Sequence, residues 1–137
     1  MNIEQQVVSL ELAKRLKELG VKQESLFVWE FYDDKCYGVK FIPYPILPAE
    51  FYAAKLYSAF TVAELGEMLP FKFEIENNSS PFYLEIRKYG ELFFIQYCDS
   101  ADPWYKPIEV SNSTEANARA EMLIWLIENG LIKNESI

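Results

Sequence analysis

The chain has 137 residues, a formal charge of −8 and no histidine. That length suits one domain spanning residues 1–137, and 50% hydrophobic residues supply a core. The missing histidine excludes imidazole-based hydrolase triads and histidine metal sites, and the acidic balance makes nucleic acid an unlikely partner.

Residues 4–19 read as a helix, with Val8, Leu12, Leu16 and Leu19 on one stripe. Gly20 is placed to take the left-handed position after it, and Val21 to make the closing apolar contact. Glu4 and Glu11 stand where a signal peptide would be basic or apolar, so none is expected. No stretch approaches the roughly 18 apolar residues of a spanning helix, and the expected setting is cytoplasmic.

Leu26–Tyr32 and Cys36–Ile42 read as two strands of a hairpin turning at Asp33-Asp34-Lys35. Cys36 and Cys98 read as buried thiols in a reducing compartment. Pro43, Pro45 and Pro48 then break the chain into an aromatic, proline-rich arm over residues 41–57. Its second part, around Glu50–Tyr57, has the alanines of a short helix.

Thr61-Val62-Ala63-Glu64 is a capping box opening a short helix that Pro70 ends. Residues 71–76 alternate loosely as a strand. Residues 82–88 and 91–98 form a hairpin around Tyr89-Gly90, with Phe93, Ile95 and Tyr97 on one face. A loop follows, and the last helix starts near Asn112 or Ser113, with Asn112 and Glu115 as a box-like cap. Its stripe is Ala116, Ala120, Leu123, Ile124 and Ile127, and Gly130-Leu131 repeats the ending seen at Gly20-Val21. The expected fold is α+β: a mostly antiparallel sheet of four to six strands covered by N- and C-terminal helices. A barrel decorated by helices is the alternative.

Few residues carry chemistry. Trp125 falls roughly opposite the Leu123–Ile127 stripe on a helical wheel, as a loop-covering or interface residue would. Trp104 and Tyr105 lie beside Asp99 and Asp102, a pattern open to a sugar or cation, although Asp102-Pro103 reads first as a turn. Tyr44, Phe51 and Tyr52 make the arm a candidate recognition element. Asp33 and Asp34 lack the further oxygen ligands of a calcium loop. Phe27, Trp29, Phe31, Phe93 and Tyr97 sit among acids, not in the positive groove that stacking on single strands requires. No catalytic residue, metal site or cofactor is expected.

Three segments, LAKRLKELGVKQESLFVW, SAFTVAELGEMLP and EANARAEMLIWLIENGLI, taken in order, resemble a family of small uncharacterised proteins of phages and prophages. The resemblance implies a bacterial or viral setting and carries no catalytic residue with it. The reading is an accessory protein-binding module with an inhibitory, immunity or regulatory role and a basic protein partner. The alternatives are a small carboxylate enzyme and a homodimeric assembly subunit.

Overall fold

The computed structural model describes residues 2–32, 34–41, 55–75, 80–102, 104 and 108–132. Its first helix, α1 (Leu10–Glu18), starts later than the apolar periodicity implies. Ser9 is the cap, its hydroxyl accepting from the Leu12 N–H. Residues 3–5 form a separate 3-10 turn, and tertiary contacts claim the two β-branched residues between. Val7 bridges Thr61, the Val8 N–H donates to Phe60 O at 2.9 Å, and Trp29 Nε1 donates to Val8 O at 2.7 Å. Gly20 closes the helix at φ +86°, and the Val21 N–H returns to Leu16 O at 3.0 Å. That is the glycine-plus-apolar ending read from the sequence.

Strands β1 (Phe27–Tyr32), β2 (Lys35–Phe41) and β3 (Lys55–Ser58) form one antiparallel sheet in the order β2-β1-β3. Lys55–Ser58 is therefore strand where alanine content favoured a helix ending at Tyr57. Pairing of Leu56 with Glu30 and of Tyr57 with Trp29 overrides local propensity. The rest of the proline-rich arm, residues 42–54, lies outside the described residues. Cys36 is exposed rather than buried, because β2 is an edge strand with little cover; Cys98 is half-buried, and the two form no disulfide.

Helix α2 (Val62–Met68) carries the expected Thr61–Glu64 capping box. A second antiparallel sheet has the order β4-β5-β6-β7, with β4 (Lys72–Phe73), β5 (Phe82–Tyr89), β6 (Leu92–Asp99) and β7 (Ile108–Asn112). The expected β5–β6 hairpin forms, but it turns at Gly90-Glu91 rather than Tyr89-Gly90: Tyr89 stands opposite Leu92 and Phe82 opposite Asp99, and Gly90 takes the positive φ (+63°) that the tight turn needs. The strand read over residues 71–76 shrinks to Lys72–Phe73, and β7 is an element the sequence reading lacked.

Helix α3 (Glu115–Glu128) is capped by Thr114, whose hydroxyl accepts from the Asn117 N–H. Asn112 belongs to β7 instead; its Oδ1 accepts from the Thr114 N–H at 3.3 Å. The helix is buried around most of its circumference, at Ala116, Ala118, Ala120, Met122, Leu123, Ile124 and Leu126. It packs against α1, α2, β6 and β7 and so forms the centre of the core. Gly130 at φ +68° ends it, with the Leu131 N–H on Leu126 O at 3.0 Å. The fold is α+β, with multi-stranded antiparallel sheet flanked by helices. Among the described residues, no helix is long and apolar enough to cross a membrane.

Candidate functional site

The N-terminal ends of α2 and α3 open onto one cavity of about 500 Å³. Its apolar walls are Ile3 from the first turn, Phe27 from β1, Val62 and Ala63 from α2, and Phe93 from β6. Gln5, Gln6, Thr61, Ser113, Thr114 and Glu115 add polar atoms. Local sequence explains why each wall is where it is. Thr61 and Thr114 are caps, so the chain enters both helices at the cavity. Phe93 belongs to the apolar face of β6 that also carries Ile95 and Tyr97. The Ser9 N–H donates to Asn117 Oδ1 at 2.8 Å, tying the N-terminal segment to the first turn of α3.

The electrostatics at this opening are balanced. Helix N-termini are electropositive, yet each first turn here holds a carboxylate, Glu64 in α2 and Glu115 in α3. Both carboxylates are engaged. Glu64 Oε1 accepts from the Thr61 N–H and hydroxyl at 3.0 Å each, and its Oε2 accepts from the Leu26 N–H at 3.2 Å. Glu115 Oε1 accepts from Arg119 Nη2 at 2.6 Å and from Nε at 3.1 Å. With charge compensated and walls apolar, the cavity favours an uncharged apolar group. Its volume lies in the range of ligand-binding clefts.

The residues singled out in the sequence lie elsewhere. Trp104 is 90% exposed on the loop after β6, its N–H donating to Asp102 Oδ1. Trp125 is half-buried and packs against the core, on the α3 side shared with Asn117, Glu121 and Glu128. Asp99 is buried and accepts from the Ser80 hydroxyl and the Ala101 N–H, so it builds a turn. Tyr44, Phe51, Tyr52 and Tyr105 lie outside the described residues. Among the described residues, no cluster of three or more Asp, Glu, Cys or His side chains is arranged to hold a metal.

No family model matches the chain, and neither a curated protein nor a solved structure matches it.

From the sequence, Phe27 and Phe93 read as core rings once a stacking role is set aside, and Thr61 reads as a cap. A signal was present in part. Two cap signatures, Thr61–Glu64 and Asn112–Glu115, mark two helix openings, the second of which the structure places at Thr114. Nothing in the linear pattern shows that the openings meet.

Proposed function

We propose that the protein is an accessory binding module that accepts an apolar side chain of a protein partner in the cavity between α2, α3 and Phe93. The cavity itself carries the reading. A buried aromatic anchor contributes on the order of 200 Å² of contact, and such anchors in pockets dominate protein association. A carboxylate enzyme is less well supported by the same site. Glu115 is the acid among the described residues lining the cavity, and Arg119 holds it. The three-segment resemblance supports a cytoplasmic role as inhibitor, immunity factor or regulator in phage or prophage biology.

The test uses indole and p-cresol as stand-ins for tryptophan and tyrosine side chains. In a titration followed by NMR, amide shifts should concentrate at Phe27, Val62, Ala63, Phe93 and Glu115. Shifts absent from those residues at saturating probe would refute the assignment.

A further inference from the structure

Strand β5 is longer than the strand that covers its outer edge. It pairs with β6 along its whole length, but β4 reaches only Phe82 and Tyr83 on the other side. The Leu84 N–H donates to Phe71 O at 2.9 Å, which fixes the phase of that edge. Alternate residues of a strand direct their main-chain groups to the same side. The N–H and C=O groups of Ile86 and Lys88 therefore point where no described strand lies. The side chains there are open to solvent: Ile86 is 36% exposed and Tyr89 82%, and Arg87 and Lys88 are exposed too. Such an edge is a template for strand addition.

Charge decides what fits. In a chain of net −8, this edge carries Arg87 beside Lys88, with Lys72 on the flanking strand. Glu85 offsets them only partly. Its Oε2 accepts from the Cys98 thiol at 3.0 Å, and its Oε1 makes a long, solvent-exposed ion pair with Arg87 Nε at 3.6 Å that an added acidic strand would share. A second copy of the chain is a poor occupant. Phe71 already stands opposite Leu84, so an added strand has only the places opposite Glu85–Tyr89. The two-fold antiparallel pairing that stays within those places is centred on Arg87. It sets Arg87 against Arg87 of the second copy, in a non-hydrogen-bonded pair where side chains come closest. An acidic side chain at that place turns the repulsion into attraction.

We propose that the outer edge of β5, from Glu85 to Tyr89, which no described strand pairs, takes an extended acidic segment of another protein as an added strand. The outward main-chain groups of Ile86 and Lys88 hold it, with an ion pair to Arg87. The arginine and lysine thus guard the edge against a second copy and select an acidic strand. This surface is separate from the cavity, and either assignment can fail without the other.

The experiment uses the full chain at low salt with two blocked octapeptides, alternating threonine–glutamate and alternating threonine–lysine. Amide hydrogen exchange at Ile86 and Lys88 should slow at least threefold with the glutamate peptide and remain unchanged with the lysine peptide. Arg87→Glu should reverse that preference. Ile86→Pro should abolish the response, because its N–H serves the outer edge and not the pairing with β6. Three results would overturn the proposal: equal or absent responses to the two peptides, Ile86 and Lys88 amides already as slow as that of Ile95 in the free protein, or dimerisation through β5.

Discussion

Replacing Tyr97 with phenylalanine tests how the second sheet is tied to the segment after α2. Tyr97 is fully buried, its ring 4.7 Å from that of Phe73, and its hydroxyl donates to Pro70 O at 2.7 Å. Phenylalanine keeps the ring packing and leaves the Pro70 carbonyl without that donor. The loss at pH 7 should be about 1–2 kcal/mol. Burial also raises the phenol's pKa above its ordinary value of 10. The folded protein therefore keeps the proton after the unfolded chain has released it. The stability tied to this group is complete below pH 10 and falls as pH rises towards the folded value. The slope is about 1.4 kcal/mol per pH unit. Phenylalanine has no such loss. Urea unfolding at pH 7 and pH 11 should show the gap between wild type and Tyr97→Phe shrinking by about 1.4 kcal/mol. An unchanged gap at the two pH values would refute the reasoning.

Gln96 is fully buried, and among the described residues neither its amide nitrogen nor its oxygen has a hydrogen-bond partner. Gln96→Met should raise stability by about 1 kcal/mol or more in chemical denaturation, since it removes an unsatisfied polar group at similar volume. Gly20→Ala and Gly130→Ala should each cost about 1–2 kcal/mol, measured as lower unfolding midpoints, because both positions hold positive φ. A Cβ at Gly66 would strike the Arg119 guanidinium, which is bound to Glu115. Gly66→Ala should therefore change stability little in wild type and stabilise an Arg119→Ala background by about 1 kcal/mol, the helix propensity gain alone.

Local chemistry was legible where it acts alone. The Gly20-Val21 and Gly130-Leu131 endings, the Thr61–Glu64 box and the presence of the β5–β6 hairpin all follow from neighbours in sequence. The start of α1 was not legible, because Val7 and Val8 leave the helix read over residues 4–19 to meet Thr61, Phe60 and Trp29. Strand β3 was hidden for the same reason, since β1 and not composition decides its conformation. The helical wheel gives the side of α3 that carries Trp125, and there the ring packs within its own chain; that α3 is buried around most of its circumference is not legible, because it depends on the elements that enclose the helix. The cavity was the least legible feature. Ile3, Phe27, Val62, Phe93 and Thr114 come from segments far apart in the chain, and only their packing together makes a site.

The most direct measurement of the central claim is the affinity of the cavity for an apolar side-chain mimic. Indole titrated into the wild-type protein and into Ala63→Trp, which plugs the mouth from an exposed position on α2, compares an open cavity with a filled one. Millimolar binding to wild type, centred on Phe27 and Phe93, and at least tenfold weaker binding to the folded Ala63→Trp protein are expected. Equal binding to both proteins would contradict the claim.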